Sequence, residues 1–228
     1  MKKILLILLF ACQQFMAMAQ PSQYKVLLST NISYNDVKNG NFDVQGNTNG
    51  NSTENSNLGI SFQPGFFITE HFVLGLTTRY VDNKSTAEML PSYRTTTDSK
   101  TWYYGIFGRS YTPITEKLFF INSFAFSERF GTNTSINYFL TQDSSITATL
   151  DVKGYFIAYT PGISYYIWNW LSINANIGSI SYDHYTTTTS SGAGTGASST
   201  TGTFAVNFPF TNFNFGIDFL IGTKANKQ

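Results

Sequence analysis

The chain is poor in the groups that most chemistry needs. Its single cysteine, Cys12, falls within the first twenty residues. A disulfide framework, a thiol nucleophile and a Cys-ligated metal are therefore excluded from everything that follows. Charge is scarce as well: 12% of residues are charged, against roughly 25% in soluble domains. The formal net charge of +1 offers no basic stripe for phosphate, so nucleic acid is not an expected partner. There are two histidines, His71 and His184, and no His/Asp/Glu cluster with metal-ligand spacing, so neither metal nor cofactor is expected. After residue 20 no apolar run reaches the about eighteen residues of a membrane-spanning helix.

Aromatic residues, in contrast, are abundant at 17%, with 21 Phe and 14 Tyr. They are interleaved with small polar residues rather than gathered in blocks. The one apolar block is at the start. Lys2 and Lys3 precede "ILLILLFA" (4–11), and "AMAQ" (17–20) places small residues at Ala17 and Ala19. This is the pattern of an export signal cleaved before Gln20, giving a signal peptide over 1–19 and a single domain over 20–228. A rival reading takes "LFAC" (9–12) as a lipoprotein box with Cys12 lipidated; Phe10 is bulky for that box.

Alternation dominates the rest. In "LGISFQPGFFI" (58–68), Leu58, Ile60, Phe62, Pro64, Phe66 and Ile68 share one face, and Gly59, Ser61, Gln63 and Gly65 share the other. Successive side chains of a strand point to opposite faces, so one face is apolar and one small and polar. The same period runs through 24–34, 72–80, 102–111, 153–167, 171–182 and 213–221. A further strand over 118–128 has a facing that the pattern leaves open. These eight strands have about ten residues or more, the length that crosses a bilayer at a tilt. Short turns at 69–71, 115–117 and 168–170 alternate with long Asn/Gly/Thr/Ser-rich connections at about 37–56, 82–100, 129–148 and 185–208. That composition buries too little apolar area to fold alone, so the long connections are expected to be loops.

Together these features predict an all-β fold: an eight-stranded antiparallel up-and-down transmembrane β-barrel, a meander with its short turns at one end. In hydrocarbon every backbone N–H and C=O needs a protein partner, and a closed barrel provides one for each. A soluble β-sandwich is the competing reading. The small face then lines a lumen, with Lys25, Arg79, Arg109 and Lys153 set against Asp218, and Glu128 as a further candidate. Aromatics near strand ends, Tyr24, Phe66, Phe72, Tyr155, Trp168, Trp170 and Phe219, are expected to form interfacial girdles.

On the signal, the "PGFFITEHFVLGL" and "YTPITEKLFFI" hairpins and the last strand, the chain resembles the small outer-membrane β-barrels of the OmpA/OmpX-like porin superfamily. Final strands of such proteins carry an assembly signal of a polar residue, a glycine and two aromatics. In "NFGIDFLI" (214–221) Asn214, Gly216, Phe219 and Ile221 stand at those positions, with Ile221 replacing the last aromatic and seven residues following. The resemblance implies outer-membrane lipids and the barrel-assembly machinery as partners, a monomer, and a structural or surface-interaction role through extracellular loops, with an unidentified extracellular ligand left open. A small channel, or a lateral path for an apolar solute, is the alternative. Some barrels of this kind modify lipid A, and Ser181, Asp183 and His184 imitate their residue types. Adjacency on one strand sends Asp183 and His184 to opposite faces, so no enzyme is expected. "GAGTG" (192–196) lacks the context of a phosphate loop.

Overall fold

A computed structural model describes residues 24–40, 51–89, 93–139, 144–191, 196–207 and 214–223. The predicted signal peptide lies outside them. The described residues form ten strands: β1 (Tyr24–Gly40), β2 (Asn51–Thr69), β3 (Phe72–Met89), β4 (Tyr93–Pro113), β5 (Leu118–Phe139), β6 (Ser144–Trp168), β7 (Leu171–Asn176), β8 (Ser179–Ser191), β9 (Ser198–Asn207) and β10 (Asn214–Thr223). Each of β1 to β6 pairs antiparallel with the next. β6 also pairs with β7, β7 with β10, and β10 with β1, which closes a ring of eight. β8 and β9 continue the wall above β7 and β10. The eight-stranded up-and-down antiparallel barrel expected from the alternation is present.

The register fixes the barrel's shape. Following partners from Thr112 through Phe120, Ile163, Ala175, Phe215, Ile32, Ile60 and Tyr80 leads to Trp102, ten residues from the start on the same strand. Eight strands with that stagger tilt by about 35–45° and leave an interior that side chains can fill.

The outward face is apolar and uncovered. Leu74, Leu76, Ile106, Phe124, Phe126, Ile163, Ile173 and Ile217 are all exposed, far more contiguous apolar surface than a water-facing protein tolerates. Aromatics border it. Trp168 stacks on Trp170 and Trp170 on Phe219 at the end of the short turns (centroids 5.5 and 6.2 Å), and Tyr80, Trp102 and Tyr104 form a chain on the other side. Beyond Tyr80 and Trp102 the outward residues become Asp82, Lys84, Lys100 and Asp98. The belt is thus a wall for hydrocarbon, and a soluble sandwich is ruled out. Leu76, in mid-belt and 63% exposed, gives a direct check. Leu76→Arg is expected to destabilise the protein by roughly 2–4 kcal/mol in urea titrations from bilayers. A change within error would contradict lipid contact at this position.

The short turns explain the repeated "ITE". Thr69 Oγ1 accepts from the His71 amide (3.3 Å), and Thr115 Oγ1 from the Leu118 amide (3.1 Å). In both, the threonine side chain stands in for backbone partners that a reversal removes.

The long connections differ from expectation. Much of 82–100, 129–148 and 185–208 is strand, and β2 begins at Asn51. These stretches read as loops because both faces are polar above the membrane, which erases the alternation. Threonine is nonetheless a good strand residue, and backbone pairing continues without an apolar face. The seventh strand is also broken. Asn176 pairs Gly162, whereas Ile180 pairs Tyr159, so one extra residue is inserted around Gly178. This bulge inverts the side-chain phase above it.

The β4–β5 seam is close at Gly105, where a Cβ would lie 1.9 Å from the Phe126 carbonyl oxygen and 2.6 Å from the Ser127 Cα. Because the obstacle is backbone, Gly105→Ala must push the two strands apart. It is expected to cost about 1–3 kcal/mol by the same unfolding assay; an unchanged midpoint would contradict the tight seam.

Candidate functional site

The lumen is built in layers. At the short-turn end Leu27, Val73, Phe107, Tyr111, Phe119, Ile121, Tyr166 and Leu220 pack as one buried cluster. Phe119 meets Tyr111 and Tyr166 at centroid distances of 6.4 and 5.0 Å. This cluster forms a packed floor. The facing of the fifth strand, open in the sequence, is settled by it: Phe119, Ile121, Ser127 and Arg129 point inward and Phe124, Phe126, Glu128 and Phe130 outward.

Against the floor lies a buried ion pair. Arg109 Nη1 is 3.3 Å from both oxygens of Asp218, and both side chains are almost fully enclosed. Several strands supply their hydrogen-bond partners. Arg109 also donates to Gln63 Oε1 (2.7 Å), Ser123 Oγ (2.9 Å) and Ser29 Oγ (3.3 Å). Asp218 accepts from Asn174 Nδ2 (2.8 Å) and Ser172 Oγ (3.4 Å). The network ties five ring strands, β1, β2, β4, β5 and β10, to β7. A second ion pair, Arg129–Asp183, sits higher. The Arg129 guanidinium lies over the rings of Tyr185 (4.2 Å) and Tyr103 (5.8 Å), while Val81, Thr101 and Val152 are buried nearby on the same walls.

Between these packed groups is a cavity of about 360 Å³. Small polar side chains such as Asn31, Ser33, Ser61, Thr77 and Thr160 line it, and Arg79 projects into it. It reaches Asn35 and Asn57 on upper β1 and β2, and Asn207 beside the break in the seventh strand. Glycine makes part of this room: a Cβ at Gly216 would fall 1.9 Å from Asn31 Oδ1.

No family model matches the chain, and no curated protein matches it. Among solved structures it is similar to the outer membrane protein OprG from Pseudomonas aeruginosa, with 10% identity, TM-score 0.46, and 90% of this chain and all of that one covered. It is also similar to Neisserial surface protein A (12%, TM-score 0.31, 88% and 97% covered) and to the translocator domain of the autotransporter NalP from Neisseria meningitidis (12%, 0.33, 94% and 73%). These scores are low, and the architecture rests on the molecule itself: a closed ring, an apolar exterior and a polar, filled lumen. The fold is that of a small outer-membrane β-barrel.

Within this barrel the predicted lumen charges divide. Arg79, Arg109 and Asp218 point inward. Lys153 does not. It is exposed, pairs Phe130 and Thr186, and shares the outward phase of Tyr155. Alternation along this strand puts Lys153 in the phase of Tyr155 and opposite Gly154, so the expected lumen placement fails on parity, and an outward lysine costs little where the strand leaves the belt. Glu128 is likewise outward and exposed, between Tyr104 and Tyr155. The side chain of Lys25 lies outside the described residues. Arg129 was missed as an inward charge because it fell in a stretch read as a loop. Its partner Asp183 faces inward only because of the bulge.

Of the assembly-signal positions, Gly216 is buried on the lumen side, and Phe219 and Ile221 are exposed on the lipid side. The Asn214 side chain lies outside the described residues. His184 faces outward against Tyr155 (4.9 Å), opposite in facing to Asp183, which is bound to Arg129. The lipid-modifying residue set therefore does not converge.

Proposed function

We propose that the chain is an integral outer-membrane barrel, closed to free solute flow, that works through the polar collar it raises above the membrane. The observation that carries this reading is the packed floor. Phe107 and Phe119 are almost fully buried there, and Arg109–Asp218 fills the space beside them. A barrel of eight strands has no spare diameter around such groups. Above the belt, β3 to β6 continue as paired strands whose side chains are mostly Thr, Ser, Asn and charged residues. That is a rigid, water-facing surface suited to contacts outside the cell. The export signal, Gly216 with Phe219 and Ile221 on the last strand, and the closure of β1 onto β10 support delivery by the barrel-assembly machinery, with membrane lipids as neighbours and a monomer as the working unit. Catalysis has no support in the placement of Ser181, Asp183 and His184.

The test is electrical. Refolded protein in a planar bilayer is expected to give no steady conductance. A persistent, solute-permeable current from the wild type would overturn the closed-barrel reading.

A further inference from the structure

We infer that the lumen cavity is a binding site for a small monoanionic carboxylate, held by Arg79. The argument is one of charge balance in an enclosed space. The charged side chains among the cavity's described lining residues are Arg79 and Arg109. Arg109 is neutralised by Asp218, and the third lumen arginine, Arg129, by Asp183. Arg79 has no carboxylate and no hydrogen-bond acceptor among the described residues. Its guanidinium lies over the Tyr103 ring at 5.7 Å. That contact holds one face of the planar fork and leaves its N–H groups free. Arg79 is half-buried; a guanidinium partly withdrawn from water without a counter-charge is costly, and the planar fork matches a carboxylate edge-on.

The surroundings narrow the ligand. Among the described lining residues one charge, that of Arg79, is unbalanced, so one negative charge completes the site. Ser33, Ser61 and Thr77 carry hydroxyls that both donate and accept, which suits a ligand with a hydroxyl or amide beside its carboxylate. Asn31 Oδ1 is a buried acceptor with no partner, at the wall of the same cavity. The room beside Arg79 is kept by Gly59, whose Cβ would crowd Ser33 Oγ at 2.5 Å and come within 3.9 Å of Arg79 Nη2. The floor below makes this a cup that holds a ligand rather than a pore that passes it.

This inference rests on the closed-barrel reading, and its test separates the two. Full-length mature protein, refolded in micelles, would be titrated with lactate while the backbone amide shifts of Ser61, Thr77 and Tyr103 are followed by NMR. Saturable shifts are expected for lactate. Lactamide, the neutral isostere, is expected to bind at least about tenfold more weakly, because the charge-assisted bond is lost. Arg79→Gln should weaken lactate by a similar factor while keeping the wild-type heat-modifiable gel shift. Arg79→Lys, with charge but no fork, should fall between. Equal responses to lactate and lactamide, an equal response to chloride at matched ionic strength, or no saturable shift would each overturn the proposal. The lactate–lactamide comparison holds on wild-type protein even if a variant fails to fold. A conducting barrel that still binds lactate would refute only the closed floor; a silent barrel that ignores lactate would refute only the site.

Discussion

Asp218→Ala is expected to destabilise the protein by about 3–5 kcal/mol, the usual cost of leaving a buried partner charge uncompensated. Arg109 cannot retreat to water. It is 3% exposed and held by Gln63, Ser123 and Ser29. The loss also frees Asn174 Nδ2 and Ser172 Oγ, so two polar groups on β7 lose their acceptor. Asp218→Asn keeps the shape and one acceptor oxygen but not the charge, and should lie between. Urea unfolding from bilayers, followed by tryptophan fluorescence, measures all three. If Asp218→Ala shifted the free energy by less than about 1 kcal/mol, the typical worth of a surface pair, the network would not be the tie between strands described above. The complementary experiment replaces both charges with apolar residues of similar size. Because the pair bears its own desolvation cost, Arg109→Met with Asp218→Leu is expected to recover much of the loss.

Phe107→Ala should come close in magnitude. Phe107 is 1% exposed and belongs to the floor cluster with Val73 and Leu27, and truncating such a ring costs about 3–5 kcal/mol. It also has a consequence that a core substitution in a soluble protein lacks. Phe107 lines the cavity as well as the floor, so its removal extends the cavity downward. Intermittent single-channel openings are expected from the variant in the bilayer assay where the wild type is silent. Destabilisation without any openings would mean that Tyr111, Phe119 and Tyr166 seal the barrel unaided.

Within the membrane, nearly everything about the wall was readable from period-two alternation. Strand 58–68 is an example: Leu58, Ile60, Phe62, Phe66 and Ile68 are all exposed to lipid, and Gly59 and Gly65 are buried inside. The signal worked because lipid and lumen impose opposite chemistries on adjacent residues. It failed wherever that contrast ended. Above the belt both faces meet water, so β4 was read from Trp102 onward although it starts at Tyr93. At 118–128 both phases carry Phe, because the floor needs Phe119 inward as much as the belt needs Phe124 outward. The candidate site was legible in part. Arg79, Arg109 and Asp218 stand out as lone charges in alternating strands, but which of them pair depends on the stagger around the ring, which no local pattern encodes. Gly178, a glycine inside a strand pattern, was the one local hint of the bulge.

That single extra residue acts as a frameshift in the wall. Below it even-numbered residues of the strand, such as Ser172 and Asn174, belong to the lumen. Above it odd-numbered ones, Asp183 and Tyr185, do. If the strand ran on without the bulge and kept Gly178, every residue above it would change compartment: Asp183 would be delivered to lipid, His184 to the lumen, and Arg129 left without its counter-ion. Deleting Gly178 removes the extra residue itself, so it straightens the wall and still leaves Asp183 facing Arg129.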